Sequence, residues 1–358
     1  MRAPSCIRFL LAIFFGILFS WALLAVWVMA APLSILNESQ VALIAKDELL
    51  RQCPRSDIIV FGDSRVEAAI DPRMIDLTTV NMARGYGNLV EDYYRIERYL
   101  DCGNKPRLLI FAADLAEYVR VNPIGFWQAT VITQVLPLRE RTEILDRITT
   151  SENAAPRPLV PGETGPYPFV PARLKNLLYT VYFPFLWSSN VMGSLQHGII
   201  LRYYDNARLR NEIFANHGRM EYRSVPHLPG QYLDVDVSSA RPNPAIDYYL
   251  CAILAMLRQN DIPTLVMIMP VNDLTYAGMG GPVREGLMGY VNALPARFPN
   301  VIVADVDLPH WPDRYFADTI LHMNDAGSAA VATRLNRCIP AILSGATADS
   351  RGLAVPES

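Results

Sequence analysis

Read from its amino terminus, the chain opens on a continuous apolar run. Ile7 to Ala30 carries Arg8 as its one charge over 24 residues. At about 1.5 Å rise per residue this is long enough to cross a hydrocarbon core of about 30 Å as a helix. Residues 31–52 read as a stalk or a first short helix. The pattern then shortens and alternates. Asp57–Phe61 is a brief β-rich apolar run closed by Gly62, and Val80–Met82 is a shorter one followed by the glycine-containing turn Arg84–Gly87. Helical spacing covers 89–101, and Leu108–Phe111 predicts the next buried strand.

Between about 115 and 243 periodicity is poor, aromatic and apolar residues mix with prolines, and Ala154–Pro171 reads as a loop. Within that insert Leu174–Tyr204 is apolar and aromatic, but Lys175, Pro184, Gln196 and His197 interrupt it as a membrane span. It is either insert core or a surface that meets lipid or a membrane partner. Leu233–Val237 alternates like a strand. Regular patterning returns with a helix near 244–260, a strand at Thr264–Ile268, a helix near 283–297, a strand at Val301–Ala304 and a helix from Asp325 to Leu343. The tail from 344 is small and polar and reads as disordered.

Strands that alternate with helices and look buried on both faces predict an α/β fold. The expectation is a doubly wound, parallel, five-stranded sheet of flavodoxin-like order 2-1-3-4-5, spanning 53–343. Chemistry in such sheets gathers beyond the carboxyl ends of the strands.

Charge and hydropathy narrow the function classes. With 32 Lys+Arg against 35 Asp+Glu the net charge is −3, and no basic block exists to displace phosphate counterions, which excludes a nucleic-acid partner. Hydrophobic content of 51% and a mean hydropathy of +0.15 assign part of the chain to lipid. Arg2 and Arg8 precede the apolar run and the first acidic residue after it is Glu38, so residues 1–6 are expected in the cytoplasm and the rest outside. The rival is a cleaved signal peptide ending near Ala30; an uncleaved anchor over 7–30 fits the length of the run better.

Outside the membrane disulfides are permitted. Cys53 and Cys102 precede the first and third strands, which the expected order makes neighbours about 4.8 Å apart. A disulfide between them is therefore expected, with two unpaired buried thiols as the alternative. No cysteine or histidine cluster has metal-ligand spacing, and neither a metal nor a cofactor is expected.

At the strand ends, Ser64 follows the first strand in Gly62-Asp63-Ser64-Arg65, where a hydroxyl meets a helix amino terminus. Serine is equally a common helix cap. Gly85 follows the second strand, either as a ligand-approaching backbone or as a turn. Asp318 and His322 stand in a loop before the last helix. A hydroxyl nucleophile needs a base and a carboxylate that orients it, and these three side chains can supply that set. Arg65 and Arg84 flank Ser64 and Gly85, either as contacts for an anionic sugar or phosphate or as solvated surface. His217, His227 and His310 lie in no motif.

GDSR (62–65), VNMARGYGN (80–88) and DTILHMNDAG (318–327), in that order on an α/β pattern, resemble the SGNH (GDSL-type) esterase superfamily over about 57–113 and 245–340. The resemblance implies Ser64 as nucleophile, the N–H groups of Ser64 and Gly85 in the oxyanion hole, His322 as base and Asp318 as its orienter. Two positions depart from the family pattern. Three residues separate Asp318 from His322 where the family has two, so Asp313 is a second acidic candidate. Asp114 stands where the family's third block offers an oxyanion-hole Asn, and an ionised carboxylate cannot donate.

The layout is similar to the membrane-anchored branch that includes alginate O-acetylation and teichoic acid D-alanylation proteins. That resemblance implies an extracytoplasmic O-acyl (O-acetyl) transferase or esterase acting on a cell-envelope or secreted polysaccharide through a serine acyl-enzyme, with a membrane-bound O-acyltransferase partner. The alternative it leaves open is a degenerate scaffold that binds polymer and organises such a partner.

Overall fold

The computed structural model describes residues 5–85, 89–113, 183–221, 244–317 and 322–345. These fall into two compact units. The first holds α1 (Ser5–Ala30), the first turn of α2 (Glu38–Arg51), α5 (Phe183–His197) and most of α6 (Ile199–Ala215). The second holds the rest of α2 and the sheet with its helices. In chain order these are β1 (Ile58–Gly62), α3 (Ser64–Ala69), β2 (Thr79–Asn81), α4 (Leu89–Asp101), β3 (Leu108–Ala113), α7 (Pro244–Gln259), β4 (Thr264–Ile268), β5 (Val271–Asn272), α8 (Asp273–Gly278), α9 (Gly281–Asn292), α10 (Leu294–Arg297), β6 (Val301–Val303), β7 (His310–Trp311) and α11 (Asp325–Leu343). Asp114, Asp318, the Ala154–Pro171 loop, Leu233–Val237 and the tail beyond 345 lie outside the described residues.

The five-stranded sheet is parallel throughout, in the order β2-β1-β3-β4-β6. The expected numbering 2-1-3-4-5 did not foresee β5, which leaves the sheet and pairs in parallel with β7 as a separate ribbon. β1 runs Ile58↔Leu108 to Gly62↔Ala112 against β3. Gly62 ends it at φ 148°, and a Cβ there would lie 1.8 Å from the Ala112 carbonyl oxygen, so only glycine fits.

Strand side chains alternate between two cores. Ile59, Phe61, Leu109, Phe111, Val266 and Ile268 pack on one face with α4 and α7 residues such as Ile96, Tyr99, Leu250 and Ile253. Ile58, Val60, Leu108, Ile110, Leu265 and Met267 pack on the other with Val66 of α3 and Val331, Leu335 and Ile339 of α11. Cys53 and Cys102, before β1 and β3, are joined in a disulfide with Cα atoms 5.8 Å apart.

One expectation is corrected by this packing and two open readings are narrowed. The single helix near 283–297 is two, because Pro295 has no N–H to continue the ladder and its ring clashes with the preceding turn. Of the two readings of 31–52, the short helix describes Glu38–Arg51, whose Leu49 and Leu50 join the sheet core and whose Lys46 is buried in the same unit. Within the poorly periodic insert, 183–221 is largely a helical hairpin.

In the first unit α1 contains a span, Ile7–Leu24, that is long and apolar enough to cross a membrane and is wholly exposed. The chain leaves it through the turn Pro32–Ser34, where Trp27 Nε1 donates to Ser34 Oγ at 3.0 Å.

Candidate active site

Asp63, not Ser64, caps α3. Its carboxylate accepts from the backbone N–H groups of Arg65 (2.9 Å) and Val66 (3.2 Å). Ser64 is thereby released from capping and stands as the first helical residue. It is also the one half-buried position between Ile58 and Pro72, where every other residue is buried, so the strand–helix junction offers a single accessible hydroxyl.

The segment bearing His322 is held against the same helix. Ser328 Oγ of α11 donates to the Ala69 carbonyl at 2.9 Å, and Met323, next to His322, shares a core cluster with Val66. The loop closes on itself, because Ala317 N–H donates to the His322 carbonyl at 2.8 Å and Phe316 bridges Met323. Asn324 explains its own place in the motif: its amide donates to the Arg314 and Phe316 carbonyls and its oxygen accepts from Gly327 N–H, capping α11. At Gly327 a Cβ would lie 2.4 Å from the Tyr315 carbonyl oxygen, so the loop packs only on glycine. Asp313 accepts from Asn272 Nδ2 at 2.9 Å.

The Gly85 turn is fixed from all sides. Met82 N–H donates to the Val60 carbonyl, Ala83 N–H to Asn81 Oδ1, Arg84 N–H to the Gly62 carbonyl and Gly85 N–H to Glu67 Oε2 at 2.9 Å. Carbonyls of the same turn are taken by buried cations: Arg95 Nη1 donates to Met82 O at 2.9 Å and Lys46 Nζ to Ala83 O. Asn81 completes the frame by donating to the Ile70 carbonyl at the end of α3 (2.8 Å). In this conformation the N–H that the family resemblance assigns to an oxyanion already binds a carboxylate.

Glu67 stands one helical turn after Ser64 and belongs to a buried charge cluster that sequence reading missed. Lys46 Nζ lies 2.8 Å from Glu67 Oε1, Arg84 pairs with Glu91, and Arg95 Nη1 lies 3.2 Å from Asp92 Oδ1, with all six side chains at most 1% exposed. Burial raises the Asp92 carboxyl to about 7 despite Arg95 and Arg84. Burial also lowers Lys46 to about 8 against the pull of Glu67, and Arg95 to about 10. Charges taken out of water this far persist only with partners in place. The available signal was the polar run Glu91-Asp92 and Arg95 interleaved with apolar positions on one amphipathic helix, which reads as a solvated face until the sheet covers it.

Arg84 is accordingly not solvated surface: it is fully buried on Glu91. Arg65 is also buried, at 4% exposure, because it follows the cap and turns into the domain. Arg219, which sequence reading passed over, joins Asp71 after α3 (2.8 Å) to Asp325 at the start of α11 (3.2 Å). Burial alone would raise Asp71, but the bonds from Arg73 and the charges of Arg219 and Arg73 hold it below the usual carboxylate range. His310 Nδ1 lies 2.6 Å from Asp273 Oδ1 and stacks on Tyr276, an Asp–His pair on the β5–β7 ribbon and exposed on the surface.

A cavity of about 400 Å³ lined by Ile75, Leu77, Arg107, Ile339 and Leu343 opens at residues that precede β2 and β3. That is the amino edge of the sheet, so the cavity is not the Ser64 site. No model of a known protein family matches the chain, and no curated protein matches its sequence.

Proposed function

We propose that the chain is a membrane-anchored, extracytoplasmic SGNH-like enzyme that moves O-acyl groups, above all O-acetyl, on a cell-envelope or secreted polysaccharide. The observation that carries this reading is Ser64: the one incompletely buried residue of its stretch, uncapped by virtue of Asp63, on a helix that also packs the His322 segment. With the β5–β7 ribbon set aside, the sheet is read as the flavodoxin-like doubly wound topology, whose carboxyl edge holds Ser64.

In the reaction Ser64 Oγ attacks the acyl carbonyl while His322 takes its proton. The acyl–oxygen bond breaks and His322 returns the proton to the departing hydroxyl. A sugar hydroxyl or water, deprotonated by His322, then attacks the acyl-serine and releases Ser64. Asp318 orients His322 in this scheme, with Asp313 as the second acidic candidate. A membrane-bound O-acyltransferase is the partner that supplies acyl groups. α1 anchors the chain, and Arg2, Arg8 and the Cys53–Cys102 disulfide support a cytoplasmic amino terminus with the domain in an oxidising compartment.

The full chain in nanodiscs is expected to release acetate from a chromogenic acetyl ester or an acetylated polysaccharide. Ser64→Ala is expected to lower this by at least about 10³-fold. A second reading rests on the Glu67 carboxylate at Gly85 N–H: a scaffold without turnover that binds polymer and organises the acyltransferase. A wild-type chain inert on both substrates, yet retaining polymer binding, selects it.

A further inference from the structure

The hairpin α5–α6 is built inside out. Its inward side chains are polar and bind the segment that follows α1: Asn206 Nδ2 donates to the Leu33 (2.7 Å) and Leu36 (2.8 Å) carbonyls, Arg202 Nε to Leu36 O (2.8 Å), and Asn190 Nδ2 to the Gln40 side-chain oxygen Oε1. Its outward side chains around the turn at Gly198 are mainly apolar, with Gln196 and the His197–Asp205 pair (3.1 Å) exposed among them. Leu195 is 56% exposed, Ile200 71%, Leu201 63% and Tyr204 67%. A water-soluble hairpin has the reverse arrangement, because apolar area left in water costs about 25 cal/mol per Å².

α5 packs beside α1, and the carbonyls that Arg202 and Asn206 hold lie three to six residues beyond its last residue, Ala30. Along the outward side of α6 the order is apolar (Ile199–Leu201), tyrosine (Tyr203, Tyr204), then charged and mainly cationic (Arg208 and Arg210, with Asp205 ion-paired to His197 and Arg208). Hydrocarbon boundary, interfacial aromatic belt and anionic head groups present themselves in that same order.

We infer that the tip of this hairpin, residues 195–204, inserts into the interface of the same bilayer that α1 crosses, so that the chain meets lipid through two elements. The inference rests on the anchor reading of α1, and its occupant is the lipid interface, not a protein groove. Inserted in this way, the hairpin fixes the turn at 33–36 by the membrane surface, where a single spanning helix would leave that turn to swivel freely.

The test uses the unsubstituted full chain in phosphatidylcholine–phosphatidylglycerol vesicles that contain a phosphatidylcholine with a diazirine in its acyl chain. After illumination, lipid adducts are mapped by mass spectrometry. Adducts are expected within 7–24 and within 195–204. Adducts in α1 with none at 195–204 overturn the inference alone. No adducts in α1 overturn the anchor reading as well. A tip that is free of lipid but cross-links to a protein in native membranes also overturns the inference. Ile200→Glu with Leu201→Glu, both at exposed positions, is expected to lower adducts at 195–204 by about tenfold and leave those of α1 unchanged. Equal adducts in that variant and the wild type would count against the inference.

Discussion

Both units bury polar side chains, but of opposite kinds. Behind the Gly85 turn the sheet unit encloses ionised groups, with Lys46 on Glu67, Arg84 on Glu91 and Arg95 on Asp92. The hairpin unit encloses neutral groups, chiefly the Asn206 amide, which with the half-buried Arg202 serves backbone carbonyls, and around Gly198 it turns mainly apolar residues outward. In the first case the cluster fixes a turn whose own N–H and carbonyl groups have few backbone partners. In the second, polar groups satisfy the chain as it leaves a helix, where carbonyls are unpaired by geometry. A buried polar residue thus signals a backbone demand in both units. The apolar surroundings alone differ, being core in one and open surface in the other.

The largest test of this contrast is Lys46→Met. Leaving Glu67 buried without its ammonium is expected to cost about 3–5 kcal/mol in denaturation of the detergent-solubilised chain. Adding Glu67→Gln should recover most of that, and a single-variant loss under about 1 kcal/mol would mean the cluster is not desolvated. Reduction of Cys53–Cys102 is next. Its ends are 49 residues apart, and opening that loop is expected to cost about 4 kcal/mol in the chain-entropy model.

In the hairpin, Asn206→Leu deprives the Leu33 and Leu36 carbonyls of their donor and is expected to cost about 2 kcal/mol. Leu201→Ser on the outward face should change stability by no more than about 0.5 kcal/mol. Reversal of those two effects would break the comparison.

The charged interior also titrates. Asp92 is raised from 3.8 to about 7 by burial, so the folded chain holds a proton that the unfolded chain loses across that interval. Stability therefore falls as pH rises from about 4 to 7, by at most about 1.4 kcal/mol per unit, and is flat above it. Lys46 is lowered from 10.5 to about 8, so between those values the unfolded chain holds the extra proton and stability rises with pH. A stability minimum between pH 7 and 8 is expected. Asp92→Asn should remove the falling arm and leave the rising one.

Much of the architecture was legible because it is written in local apolar periodicity. The span at 7–30 is visible as one unbroken apolar run, and the strands at 58–62, 108–113 and 264–268 and the helices at 89–101, 244–259 and 325–343 each bury a face whose spacing is visible residue by residue. The placement of Cys53 and Cys102 before neighbouring strands was legible for the same reason. Ser64 and His322 were singled out from motif order, and the structure adds that Asp63 takes the cap and leaves Ser64 accessible.

Partnership was decided only in three dimensions. Nothing near Lys46 in the sequence points to Glu67, nothing near Arg84 says that it is buried rather than solvated, and Arg219 meets Asp71 and Asp325 across more than a hundred residues. Gly85 reads as an open backbone donor until the fold brings Glu67 to it. Around Gly198, from 190 to 206, most exposed residues are apolar while Asn190, Ser194 and Asn206 are buried, so the hairpin's pattern cannot be read by the rule that apolar residues face the core. Local spacing is set by the helix and strand periods, whereas the neighbour of a charge is set by how distant segments pack, and that is a property of the tertiary structure.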